Sequence, residues 1–401
     1  MSLRESSFLA TLLQFILLKE GGLSRHLLGT FLPSLVDGVD LFDIGGELLI
    51  TRIPLKTGDD VVGYVDVALH EVFGNPFHQV CIDRPWNPAE IVEFARERAA
   101  ALSPVASLSD YRFIIYSYPK IGVQFLNDEE EIVLIDGVSG DAIRKRSEKE
   151  GYGHYSRFSM VGLGRLGPLP PGPSFEEWIA VGDELDEILG DWKSSLDLEG
   201  DVLRAKDRLV PPVQAGLATL VRECATPEQE GCFHRHPQVS CCWCVPASVE
   251  TFLDFFLDDE PTLTQIAYLL GQGTSYSHAS ELPKSDVKKV VALINARLKR
   301  IHRQAKLIED QPSGLQALMD EVGAGRPVVL FSETHCYCVV GIATVSRGGS
   351  SCVGIALLDP LGNTSIKGWT GYNTSWFPAM ISSEPVSSPF YFLRRLFARF
   401  F

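Results

Sequence analysis

The chain has 401 residues, of which 45% are hydrophobic and 22% charged, and its formal net charge is -15. Because one domain usually has about 100–200 residues, we predict two domains. The acidic balance disfavours nucleic acid and anionic membranes as partners, since both repel a negative surface. The nine cysteines are clustered and odd in number, which is unlike a secreted disulfide framework and favours a reducing, cytoplasmic location.

Residues 1–159 predict an α+β domain with an antiparallel sheet. The apolar run at residues 8–18 is too short to span a bilayer, so we expect a buried helix and no transmembrane segment. A second helix is predicted at 87–102, with Pro88 in its first turn. Apolar or alternating patterns predict five strands. These strands cover residues 47–53, 61–69, 111–118, 121–126 and 131–137.

Glycine and proline concentrate in residues 160–174 and predict a linker between the two domains. At its end, Ser174 and Glu177 form a capping-box pattern, which predicts an acidic helix to about Lys193. We assign residues 160–205 to this linker and helix.

The remaining residues, 206–401, form the second predicted domain. Its last segment, 390–401, combines six aromatic residues with Arg394, Arg395 and Arg399. Such a segment either folds back on its own domain or docks on another protein or a membrane surface.

The stretch "QVSCCWCVPASVETFL" begins at Gln238 and predicts a buried helix that starts just after Cys244. Its apolar residues recur at the spacing of one helix face, and Pro246 suits the first turn. A helix N-terminus favours an anion, so a thiolate is stabilised there and is a competent nucleophile. Cys244 is therefore the candidate nucleophile.

Attack on a carbonyl also needs a base and donors for the oxyanion. Gln238 can fold back beside the thiol and act together with the Cys244 N–H group. His335 stands at the start of a predicted strand, and Asp359 ends the next one. Neighbouring strand ends can bring these two side chains together, so that the carboxylate orients the imidazole. Asn363 is a nearby substitute for Asp359.

The order "Gln-x5-Cys-x-Pro-Ala-Ser", "His-Cys-Tyr-Cys-Val-Val-Gly" and "Leu-Leu-Asp-Pro" resembles the papain-like C39-like cysteine peptidases over roughly residues 235–365. The resemblance implies a papain-like C-terminal domain in which Gln238, Cys244, His335 and Asp359 form the catalytic set. The N-terminal half is faintly similar to the small domains of protease propeptides, which implies that it restrains or positions the other half.

Other assignments of the cysteines remain open. Cys242 precedes a tryptophan and is the alternative nucleophile, although it is further from the predicted helix start. Zinc is a second interpretation, but the cluster lacks the two short ligand pairs of a structural site, and we expect no metal. The candidate ligands for zinc would be Cys232, His234, His236, Cys241, Cys242 and Cys244. We assign Cys336 and Cys338 a buried, structural role.

The sequence thus predicts a cysteine peptidase or amidase that needs no cofactor and acts on a peptide or protein through a Cys244 thioester. With an amine as the acyl acceptor, the same residues would make an acyltransferase or transpeptidase. The non-enzymatic alternative is an inactive papain-like domain that serves as a binding module.

Overall fold

The structure is a computed structural model. Residues 162–172 of the linker predicted at 160–174, Cys241 and the aromatic segment at 390–401 lie outside the residues it describes. The described residues are 2–20, 32–33, 37–82, 86–102, 108–117, 120–128, 130–143, 151–152, 159, 161, 173–224, 232–239, 242–273, 282–309, 311–332, 335–360, 363–369 and 379–386.

Eight α-helices lie in the described residues. They are α1 (Leu3–Glu20), α2 (Pro88–Leu102), α3 (Phe175–Leu189), α4 (Leu198–Ala205), α5 (Cys244–Asp254), α6 (Leu263–Leu269), α7 (Val287–Leu298) and α8 (Gln311–Gly323). The buried helix predicted at 8–18 is confirmed as the centre of α1. Within the described part of the chain, none of these helices is both long enough and apolar enough to cross a membrane.

Most of the strands occur in runs between these helices. They are β1 (Leu32–Pro33), β2 (Val39–Asp43), β3 (Leu48–Thr57), β4 (Asp60–Ala68), β5 (Phe77–Ile82), β6 (Asp110–Ser117), β7 (Lys120–Asn127), β8 (Glu130–Asp136), β9 (Gly151–Tyr152), β10 (Val213–Leu220), β11 (Leu282–Pro283), β12 (Arg303–Ile308), β13 (Val328–Phe331), β14 (Cys336–Arg347), β15 (Ser350–Asp359), β16 (Asn363–Trp369) and β17 (Ala379–Pro385). All five strands predicted in the N-terminal half are present.

One long sheet runs through both halves of the chain in the order β12-β17-β13-β14-β15-β16-β5-β4-β3-β2-β6-β7-β8. Its pairings are antiparallel except for the parallel pair β2 and β6. The predicted α+β class with an antiparallel sheet is therefore confirmed. Strands of the two halves meet where β16 pairs with β5, and the division into two domains stays a prediction.

Helix α3 joins the N-terminal helix to the C-terminal strands. The predicted capping box is present, since Ser174 and Glu177 exchange side-chain and main-chain hydrogen bonds. The helix ends earlier than predicted because Gly190 follows with a φ of 65°, a conformation that stops a helix. Its Trp178 is buried and donates to the Cys352 sulfur on β15 at 3.1 Å, which fixes α3 against the sheet.

Candidate active site

Cys244 is the first residue of α5, a helix whose residues from Cys244 to Leu253 are all buried. The preceding residue, Trp243, makes no side-chain hydrogen bond to the first turn. The N–H groups of that turn and the helix dipole therefore act on the region around the thiol. This position agrees with the predicted helix start, within one residue.

Gln272 holds the chain that enters α5. Its side-chain amide donates to the Cys242 carbonyl oxygen at 3.2 Å, and its own carbonyl accepts from the Trp243 indole at 3.1 Å. Gly271 and Gly273 on either side have φ values of 74° and 97°, which only glycine adopts readily. Gln272 was not among the predicted site residues, because its contacts involve main-chain oxygens and leave no pattern in the sequence.

His335 lies in the tight connection between β13 and β14, where Phe331 pairs with Cys336. Ser332 closes this connection, because its N–H donates to the His335 carbonyl at 2.8 Å and its hydroxyl accepts from the His335 N–H at 3.1 Å. The Tyr337 ring contacts the imidazole edge to face at 4.8 Å between ring centres. These contacts fix the position of the imidazole.

Asp359 ends β15, which pairs antiparallel with β14, so its side chain lies at the same end of the sheet as His335. The two side chains are joined by a 2.9 Å contact between Nε2 of His335 and Oδ1 of Asp359. The structure thus places the His335 and Asp359 side chains in contact, as expected from their positions at neighbouring strand ends.

The second ring nitrogen of His335, Nδ1, is buried and makes no hydrogen bond to a described residue. Burial acts to lower the pKa of this histidine, but Asp359 and then Cys244 raise it, to about 9. His335 therefore carries a proton at neutral pH. Cys244 lies close enough to the imidazole to interact with it electrostatically.

Gln238 precedes α5 and is anchored beside Asp359. Its main-chain N–H donates to the Pro360 carbonyl oxygen at 2.7 Å, so the segment that carries it crosses the end of β15. The oxyanion role of its side chain stays a prediction. Cys242 is half-buried and lies before the helix begins, which keeps it further from the helix N-terminus than Cys244.

The described part of the site is closed to substrate. Cys244 and His335 are both 0% exposed. A cavity of about 90 Å³ is lined in part by Asp359, together with residues that include His236, Ser248 and Cys338. A pocket for a drug-sized ligand has about 300–1,000 Å³, so a substrate reaches the thiol only if the surrounding chain moves.

Four of the other cysteines fall into two groups. Cys336 and Cys338 are buried on β14, as predicted. The pKa of the Cys336 thiol is raised mainly by burial and, to a smaller extent, by the nearby Cys244. Cys224 and Cys232 form a disulfide bond, a pairing that the sequence did not indicate and that removes Cys232 from the candidate zinc ligands. Asn363, the predicted substitute for Asp359, is the first residue of β16.

No protein-family model matches the sequence, and no curated protein matches it either. Among solved structures, the chain is similar to UfSP from C. elegans with 14% sequence identity and a TM-score of 0.29. The alignment covers 42% of this chain and 34% of that chain, about a third of its length. The functional proposal therefore depends on the side chains of the site itself.

Proposed function

We propose that this protein is a papain-like cysteine hydrolase that cleaves a peptide or amide bond through a Cys244 thioester. The observation that carries the proposal is the contact between His335 and Asp359 at 2.9 Å, with Cys244 beside the imidazole at a helix N-terminus. The arrangement supplies a nucleophile, a proton carrier and a group that orients the carrier.

The Asp359 contact occupies Nε2 of His335 and leaves Nδ1 available for the thiol proton. With the proton on the imidazole, the positive charge stabilises the Cys244 thiolate, which attacks the substrate carbonyl. The imidazolium then gives its proton to the leaving amine. In the second half of the reaction, water gives a proton to the neutral His335 and attacks the thioester carbonyl. The carbon–sulfur bond then breaks, which regenerates the Cys244 thiolate and releases the acid product.

The oxyanion of both tetrahedral intermediates needs preorganised donors. The main-chain N–H of Cys244 and the side-chain amide of Gln238 are the donors we assign. The hydrogen bond from the Gln238 N–H to the Pro360 carbonyl supports this assignment, because it ties the Gln238 segment to the strand end that carries Asp359.

A thiol-directed affinity probe tests the nucleophile. We expect the wild-type protein to be labelled at Cys244, as located by fragmentation mass spectrometry, and Cys244→Ala to lose this label. Cys242→Ala is the matched control, because it removes a neighbouring half-buried thiol and should leave the Cys244 label intact. Undiminished labelling of Cys244→Ala, or labelling of Cys242 alone, would contradict the assignment of the nucleophile.

A second candidate function is a closed, non-catalytic papain-like binding module. The complete burial of Cys244 and His335 favours it, because no carbonyl reaches the thiol in this conformation. Slow alkylation of Cys244 by iodoacetamide, at the rate of a fully buried thiol under all conditions tested, would support this module over the hydrolase.

A further inference from the structure

A cluster of two histidines and three carboxylates lies at the end of α5 opposite Cys244. Its members are His234, His236, Glu250, Asp254 and Glu260. A ring nitrogen of His236 and one carboxylate oxygen each of Asp254 and Glu260 all lie within 4.8 Å of one another. These three groups are half-buried, so they are accessible to an ion from solvent.

The His236 ring has the geometry of a ligand more than that of a hydrogen-bond donor. Its Nε2 atom is buried and has no hydrogen-bond partner among the described residues. Oδ1 of Asp254 is 3.7 Å from it, which is too long for a hydrogen bond. Two ligands of a tetrahedral zinc ion lie about 3.4 Å apart, given metal–ligand distances near 2.1 Å. An ion between the two atoms would give Nε2 of His236 a partner and would share Oδ1 of Asp254 with His234.

The outer groups of the cluster are arranged as supports for such a ligand set. Nδ1 of His236 faces Oε1 of Glu250 at 3.5 Å, and that oxygen is held by the Leu263 N–H at 2.9 Å. Nδ1 of His234 contacts Oδ1 of Asp254 at 3.0 Å. A histidine that binds a metal commonly donates its other ring N–H to a carboxylate, which fixes its orientation.

We propose that His236, Asp254 and Glu260 form a binding site for a divalent transition-metal ion, with Zn²⁺ as the best fit and water as the fourth ligand. One imidazole with carboxylates is a ligand set that suits zinc. The net negative charge of the three carboxylates attracts the cation. The proposal is independent of the hydrolase activity, and two of its ligands lie outside the cysteine-rich set that the sequence suggested.

The ion would connect two parts of the candidate active site. His236 is two residues before Gln238, whereas Asp254 lies on the helix that begins at Cys244. Metal binding would therefore fix the segment that carries the proposed oxyanion donor against the helix that carries the proposed nucleophile. We expect the metal to stabilise the folded protein, since a ligand that binds only the native state raises its stability.

The test is a titration of the full-length, EDTA-treated protein with Zn²⁺ in competition with a chromogenic chelator, alongside thermal unfolding. We expect about one ion per chain and a rise in Tm of about 3 °C or more at saturating metal. His236→Ala should weaken Zn²⁺ binding at least about 100-fold, and Glu250→Gln, which keeps an acceptor for the Leu263 N–H, by about 10-fold or more.

Two controls separate this site from other zinc-binding groups. His302→Asn removes a histidine outside the cluster, and asparagine tolerates its φ of 56°, so binding should not change. Cys244→Ala removes the thiol beside His335 and should also retain the ion. The proposal would be overturned if Cys244→Ala lost Zn²⁺ binding while His236→Ala retained it. It would also be overturned if the wild-type protein bound no Zn²⁺. Circular dichroism shows whether each variant is still folded. Glu260→Gln is a second variant that removes a proposed ligand, so weaker Zn²⁺ binding by a folded variant reports the loss of a ligand.

Discussion

Two carboxylates, the buried Asp66 and the half-buried Asp359, lie in different halves of the chain and hold a buried cationic partner in different ways. Asp66 receives two hydrogen bonds from Arg52, at 2.7 and 2.8 Å, and the Tyr64 ring lies 3.6 Å from the guanidinium carbon. Asp359 contacts His335 through one ring nitrogen at 2.9 Å. The other ring nitrogen has no hydrogen bond to a described residue.

The choice of cation distinguishes a structural ion pair from a pair that can transfer a proton. Arginine stays charged, so the Arg52–Asp66 pair is a fixed charge pair inside the sheet. Histidine exchanges its proton near neutral pH, and the open nitrogen of His335 lies beside a thiol. Burial, a carboxylate partner and a short contact are common to both pairs. Only the second can move a proton.

The largest effect that we expect comes from His335→Ala. An activated p-nitrophenyl ester can serve as acyl donor, and the initial release of p-nitrophenolate measures acylation of Cys244. Without the imidazole the thiolate loses its stabilising charge, so acylation should slow by about 10⁴-fold, the usual scale for losing one member of such a set.

Added imidazole distinguishes lost chemistry from lost fold in this variant. A small base that enters the space left by the side chain should restore part of the acylation rate. If His335→Ala acylates at the wild-type rate, the two buried pairs do not differ in the way proposed, and His335 has a structural role like that of Arg52.

The second prediction compares the stability costs of removing each carboxylate. Asp66→Ala leaves a buried guanidinium that cannot lose its proton, and it should lower the free energy of unfolding by about 3–5 kcal/mol. Asp359→Ala should cost less, because His335 can become neutral. Urea unfolding at neutral pH, followed by circular dichroism, measures both values. Equal costs would mean that His335 stays charged without its partner.

The positions of Cys244, His335 and Asp359 were largely predictable from the sequence. Apolar periodicity and the positions of proline and glycine predict the helix start at Cys244 and the two strands that carry His335 and Asp359. Consecutive antiparallel strands bring the end of one beside the start of the next, which predicts that His335 and Asp359 are neighbours. The five N-terminal strands were predictable for the same reason. Their patterns are local, and local patterns determine secondary structure.

The pairing of Arg52 with Asp66 was not predicted, because these cross-strand partners of the β3–β4 pair depend on the register of the two strands, which the strand patterns do not determine. The same holds for β16 beside β5, which joins distant parts of the chain. Gln272 and Ser332 were missed since their contacts are to main-chain atoms, which leave no residue pattern. The disulfide between Cys224 and Cys232 was likewise not predicted, because cysteine spacing alone does not determine which cysteines pair.

The third prediction uses the pH response of His335. Its folded pKa is raised from the ordinary 6.5 to about 9, so its contribution to stability is fully present below pH 6.5 and is lost as pH rises through about 9. Acylation should begin to fall near pH 9, where the imidazolium loses its proton, and should approach a tenfold loss for each further pH unit. Arg52 does not titrate there, and no matching loss should come from its pair.

Asp359→Asn sharpens this measurement. Removal of the carboxylate charge takes away the largest contribution that raises the pKa of His335, so the alkaline limit should move to lower pH. We expect the initial rate of p-nitrophenolate release between pH 6 and 10 to show this shift. An unchanged limit would mean that a group other than His335 controls the profile.

The smallest effect concerns the contact that holds the N-terminal helix, away from both pairs. A methyl group on Gly182 of α3 would overlap the Ser6 carbonyl of α1, so Gly182→Ala should lower the free energy of unfolding by about 1–3 kcal/mol. Gly323→Ala is the matched control, since nothing lies within 4 Å of the added carbon. Because the change touches neither pair, the alkaline limit should stay near pH 9. A shift of the alkaline limit of acylation in Gly182→Ala, but not in Gly323→Ala, would show that the packing of α1 against α3 affects the environment of His335.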